Sequence, residues 1–261
     1  MKKIIFLLIV CLFVFSFPWV KFINKNFFPL LNPSDIRIFY YTDIEDLAIA
    51  VDKQDSVSIC KILDRNPKLV NKTDDVYGST VLSYAVNKSK YKSIRVLIKY
   101  GADPTQGYHR LLDPDSHPIF ISIISNDELS FNELLKSSYM SHKDKLIFSL
   151  KWCIGNKIGN KYYEPLINLD IIKYDSNGEL VNTAIRKGRY DMAIDLLQRG
   201  ACFKNDVEFK RTYGSKRLLT DYLEDEDPID SLQCQYKHQF ISMLEERGLY
   251  KKKEEDLKKE D

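Results

Sequence analysis

The sequence is poor in the residues and spacings that catalysis and metal binding need. Its five cysteines, Cys11, Cys60, Cys153, Cys202 and Cys234, include no C-x-x-C pair, which excludes a zinc knuckle or a thioredoxin-type motif. A Cys202–Cys234 bridge stays open in an oxidising compartment; otherwise each thiol fills a small core position. The four histidines, His109, His117, His142 and His238, form no H-x-x-x-H pair, and there is no G-x-S-x-G elbow. Only 10 Gly and 9 Pro in 261 residues argue against a chain built from many tight β-turns. Basic and acidic residues nearly balance, 39 against 37, so the surplus of a nucleic-acid binder is missing. The Gly155–Lys161 stretch lacks phosphate-loop spacing and its Ser or Thr. The acidic run from Asp221 to Asp230 lacks the order and the Gly of a calcium loop. No cofactor and no metal are expected, and the chain reads as a non-enzyme.

What the sequence does have begins at its N-terminus. Ile4 to Val20 carries no charge and follows two lysines, the grammar of an export signal. Its 17 residues just reach across a hydrocarbon core of about 30 Å at about 1.5 Å per residue. Three fates are open: cleavage after Ser16, lipidation at Cys11, or retention as an anchor, which is the reading preferred. Residues 1–24 are therefore read as signal peptide or membrane anchor, 25–42 as linker, 43–249 as the folded domain and 250–261 as a solvated charged tail.

The folded part repeats. Asp75-Val-Tyr-Gly78-Ser-Thr80-Val-Leu82-Ser-Tyr-Ala85 leads to Ile94-Arg-Val-Leu97-Ile-Lys-Tyr-Gly101-Ala102-Asp103. Leu82, Ala85 and Val86 give one helix a small apolar face, and Ile94, Leu97 and Ile98 give the next an i, i+3, i+4 stripe. Gly101 ends that second helix in the left-handed conformation. Ala50, Ser122 and Ala184 occupy the position of Ala85. Ala85 follows Ala50 by 35 residues, Ser122 follows Ala85 by 37, and Ala184 follows Ser122 by 62. The last interval is about two periods, so an eroded unit is expected between, from Leu146–Leu150 and Tyr163–Leu169. A closing helix is expected near Leu232–Glu246. Asn71-Lys-Thr73 and Asn87-Lys-Ser89 also match the N-glycosylation pattern.

These residues resemble the ankyrin repeat, D-x-x-G-x-T-P-L-H followed by V-x-x-L-L-x-x-G-A, with Val81 for the Pro and Ser83 for the His. The resemblance implies an all-α ankyrin-repeat solenoid of stacked helix-turn-helix units, about five to six of them partly degenerate. It also implies a concave binding face at the hairpin tips and the exposed side of the first helices. Carried over by position, that face comprises Asp52 and Lys53; Asp74, Val76, Tyr77, Ser79, Asn87 and Lys88; Asp115, Ser116, His117 and Ser125; and Ser176, Glu179, Arg186 and Lys187. The expected partner is another protein. With the N-terminal segment, the repeat domain is expected on the periplasmic side of a bacterial membrane, anchored there or exported after cleavage. An immunity protein neutralising a toxin or lipase effector is one version. An ankyrin effector binding a host or envelope protein is the alternative, and an enzyme with a cryptic site is a minor one.

Overall fold

A computed structural model of the chain describes residues 35–75, 77–107, 116–204, 209–210, 216–217, 223 and 230–250. The N-terminal apolar segment, Val76, Asp115, nearly all of the acidic run and the charged tail lie outside the described residues. Among the described residues no helix is long and apolar enough to cross a membrane. The chain divides into two compact units, Met1–His142 and Lys143–Asp261.

The first unit is three helical hairpins. Their helices are α1 (Glu45–Asp52) with α2 (Ser56–Arg65), α3 (Val81–Asn87) with α4 (Tyr91–Lys99), and α5 (Pro118–Ile124) with α6 (Glu128–Leu134). First helices stack on first helices, α1 on α3 on α5, and second on second, α2 on α4 on α6. Each hairpin is too small to bury its apolar stripe alone, so stacking supplies the core. Leu47, Ala50, Val51, Leu82, Ala85, Val86, Ile119 and Ile123 line it from the first helices. Ile59, Leu63, Ile94, Leu97, Phe131 and Leu134 line it from the second.

The second unit holds α7 (Leu146–Gly155) with α8 (Asn160–Ile167), and α9 (Glu179–Arg186) with α10 (Tyr190–Gln198). The closing helix α11 (Ser231–Glu246) packs on α10. The Gln233 side chain accepts from the Tyr190 amide (2.9 Å) and donates to Asp191 (3.1 Å), which completes the polar seam at that end. The only strands among the described residues are the two-residue antiparallel pair Phe209–Lys210 and Lys216–Arg217. The eroded fourth hairpin lies where the doubled spacing put it. The Gly155–Gly159 stretch inside it is a close-packed corner: a Cβ on Gly159 would meet the Cys153 Cα at 2.3 Å.

Four hairpins share one corner. The carbonyl of the small residue on the first helix accepts from the amide five residues on: Ala50 from Asp55 (3.0 Å), Ala85 from Lys90, Ser122 from Asp127 and Ala184 from Arg189 (each 2.8 Å). The residue before that donor is left-handed in all four: Gln54 (φ 54°), Ser89 (50°), Asn126 (55°) and Gly188 (63°). A bulky side chain there strains the backbone by about 1–2 kcal/mol. The small side chains are buried between the paired helices, which is why no larger residue stands there.

Successive hairpins are tied by polar side chains at their loops. Asn71 donates to the Gly101 carbonyl (3.0 Å) and accepts from the Asp103 amide (2.8 Å). Asp103 in turn accepts from the Ser141 amide and hydroxyl. The Asn71 amide, part of a sequence match to the N-glycosylation pattern, is thus committed to these bonds within the fold. Cys60, Cys153, Cys202 and Cys234 form no disulfide, so Cys202 and Cys234 are not bridged.

Candidate protein-binding face

The residues carried over from the repeat pattern separate into two groups. Asp74, Ser79, Ser116 and His117 are interior and shape the loops. Asp74, 2% exposed, accepts from the amides of Tyr77 (2.7 Å) and Ser79 (2.6 Å). In the second unit Asp175 does the same for Glu179 (2.9 Å) and Leu180 (3.0 Å). The residue that pins the second-repeat loop is therefore Asp74, which the repeat pattern placed on the binding face, whereas the next residue, Asp75, is exposed. His117 caps α5, its Nδ1 accepting from the Phe120 amide (3.3 Å). Thr80 caps α3 in the same way through the Ser83 amide (3.1 Å). Ser83 is also 3.0 Å from the Thr80 hydroxyl, so the Ser standing for the usual His still braces the turn.

The second group faces out. Two and three residues past each small residue come Asp52 and Lys53, Asn87 and Lys88, Ile124 and Ser125, and Arg186 and Lys187. All but Asp52 are exposed. Tyr77 is half-buried, while Ser176 on the fifth-repeat loop and Glu179 at the start of α9 are exposed. Glu179 pairs with Lys151 of α7. Within the first unit the structure thus brings Lys53, Asn87, Lys88 and Ser125 onto the exposed ends of stacked first helices. Arg186 and Lys187 do the same in the second unit. Sequence reasoning missed Ile124, an apolar side chain 48% exposed at the Asn87 position. Its position is legible as the residue two past Ser122, the register of Asn87 relative to Ala85.

Charges at the first-repeat end of this face are organised. Asp52 accepts from the Tyr84 hydroxyl (2.7 Å) and pairs with Lys90 (3.0 Å). The Tyr84 bond, with Lys90 and Lys88 behind it, holds the Asp52 carboxyl below the usual carboxylate range despite partial burial. Burial first, and the Asp52 bond second, push the Tyr84 phenol well above its ordinary value. Asp175 goes the other way: burial raises it, opposed by its two backbone bonds. Among the described residues no His, Cys, Asp or Glu side chains group as metal ligands.

Stacked hairpins with a small-residue corner repeated in four of them and an Asp-pinned loop in two have the architecture of the ankyrin type of repeat. No protein-family model matches the chain. An ankyrin repeat protein of Rickettsia bellii (strain RML369-C) is 39% identical over 69 residues, 24% of this chain. The chain covers 40% of that relative's length. Two solved structures are similar over most of this chain. The ankyrin repeat protein EF0377 has a TM-score of 0.47 and 15% identity, covering 77% of this chain and 98% of its own. The human ASB11 ankyrin repeat domain has a TM-score of 0.38 and 12% identity, covering 74% and 96%. The hairpin stack is an all-α solenoid of the ankyrin-repeat type.

Proposed function

We propose that this chain is a non-catalytic scaffold that binds another protein through the exposed ends of its first helices and the adjoining loops. One observation carries the reading. At the same register of four hairpins, a constant buried corner displays a side-chain pair that differs every time: Asp-Lys, Asn-Lys, Ile-Ser and Arg-Lys. A fixed frame with changing exposed chemistry is how a recognition surface is built, and an exposed apolar residue among polar ones is a suitable anchor. The uncharged Ile4–Val20 run supports presentation at or beyond a membrane, with the repeats on the periplasmic side. An immunity role against a toxin or lipase effector rests on the pairing of that run with a binding scaffold. A secreted or envelope-located effector uses the same surface on a different partner.

The test is crosslinking capture from the native membrane fraction with the full chain. The variant Lys88→Glu/Ile124→Asp should lose the captured protein while its thermal melt is unchanged. A control on the second helix, Lys92→Ala/Arg95→Ala/Lys99→Ala, should retain it. Loss in the control with retention in the first variant would place the partner on the second-helix side. A toxin gene beside this one supports the immunity version, and its absence favours the effector.

A further inference from the structure

Tyr84 lies about 150° around α3 from the centre of the Leu82–Ala85–Val86 stripe, at about 100° per residue. It thus points away from α4, to the first-helix side that the proposed function assigns to a partner. It is nevertheless only 3% exposed. The cover comes from the chain itself. A 3-10 turn, Ile36–Phe39, packs on α1, and Phe39 meets Tyr84 edge-on with ring centroids 5.9 Å apart at 87°. Phe39 is fully buried and Ile38 nearly so. Asp35 starts the turn by accepting from the Arg37 amide (3.0 Å), and the Arg37 guanidinium clamps both oxygens of that carboxylate. The turn ends at Tyr40, whose amide donates to the Arg37 carbonyl (3.1 Å), and the Thr42 amide donates to the Phe39 carbonyl (3.3 Å).

We infer that Asp35–Tyr41 is an intramolecular ligand, a strap that fills in cis a peptide-binding groove over the first helices of the first two repeats. The inference rests on the reading of the first-helix side as the partner side. The strap also describes the partner: a segment carrying a carboxylate, then a branched apolar residue beside an aromatic, able to lay its ring on Tyr84. Aromatic pairs of this edge-on kind contribute about 0.5–1.5 kcal/mol beyond their buried area. A tethered strap works at an effective concentration on the order of millimolar, so a competing segment must bind better or arrive at high local density.

The probe is a fluorescein-labelled synthetic peptide with the sequence of Asp35–Thr42, added to the full chain. Full-chain Phe39→Ala should bind it at least tenfold more tightly than wild type, and a peptide with Ala at the Phe position should not bind. Equal binding to both proteins, or no binding by a natively folded Phe39→Ala chain, overturns the strap. If Phe39→Ala does not fold, hydrogen exchange of wild type decides. The Tyr40 and Thr42 amides should exchange at least tenfold faster than those of Tyr84 and Lys88, through an opening that leaves α3 intact. Exchange of all four at one rate overturns the strap. Partner capture can fail while this peptide still binds, so the two readings fail separately.

Discussion

The second and fourth hairpins perform the same packing task with different local chemistry. In the second, Ser89, two residues past the end of α3, stands at φ 50° and the Lys90 amide closes on the Ala85 carbonyl. In the fourth, α7 runs to Gly155 and a 3-10 turn, Lys157–Gly159, leads directly into α8. The left-handed residue and the five-residue closure are both missing there. The fourth corner is held instead by apposition of Gly159 on the Cys153 backbone. Pro165 inside α8 removes one more helical donor. The lesson is that stacking needs two helices with apolar stripes and a tight corner, and the sequence has more than one way to make the corner.

The largest effect should come from charging the shared corner. Ala85→Glu and Ala184→Glu each bury a carboxylate between paired helices, at a cost of several kcal/mol. Loss of the cooperative melt by circular dichroism is the expected outcome. An unchanged melt in both would remove the equivalence on which the comparison rests. Next comes the fourth corner. Gly159→Ala drives a Cβ into backbone that cannot rotate away, and should cost about 2 kcal/mol. Denaturant midpoints measure it.

The left-handed position gives a smaller, signed pair. A Cβ at Gly188 meets nothing within 4 Å, so Gly188→Ala should lose only the backbone term, about 1 kcal/mol. Ser89→Gly should gain about 0.5 kcal/mol, the relief of strain less the entropy of glycine. The same sign for both substitutions would contradict the shared conformation.

The smallest effects are in titration. Asp52 has a folded pKa below its ordinary value of 3.8, so its stabilisation is present above about pH 3.8 and fades as pH falls through the folded pKa. Asp175 is raised above 3.8. Its contribution is complete below that pH and is lost as pH rises through the folded value. Carboxyl NMR titration should place the two midpoints on opposite sides of 3.8, and Tyr84→Phe should move Asp52 upward while leaving Asp175 in place.

Much of this was legible in the sequence where one residue type has one structural use. Thr80, Leu82, Ala85 and Gly101 stand at fixed intervals because a cap, a core contact, a helix crossing and a left-handed terminus each tolerate few alternatives. The fourth hairpin was legible only as a gap of two periods, because its corner uses a different device. Loop details were less readable. Asp74 and Asp75 are adjacent and chemically identical, and only the turn geometry selects the one that receives two amides. For the face, position alone could not separate Ser79 and His117, which turn inward, from Lys88 and Ser125, which turn out. The Phe39–Tyr84 contact joins residues 45 apart with no periodic relation, so no local pattern announces it.

The corner shared by four hairpins is the centre of the account, because it fixes the frame on which the variable face is displayed. Native-state hydrogen exchange by NMR reads it directly at the amides of Asp55, Lys90, Asp127 and Arg189. All four should be strongly protected, though they lie just beyond their first helices, where a frayed end would exchange freely. The Asn156 and Lys157 amides at the fourth corner should not share that protection. Fast exchange at two or more of the four would contradict the common corner.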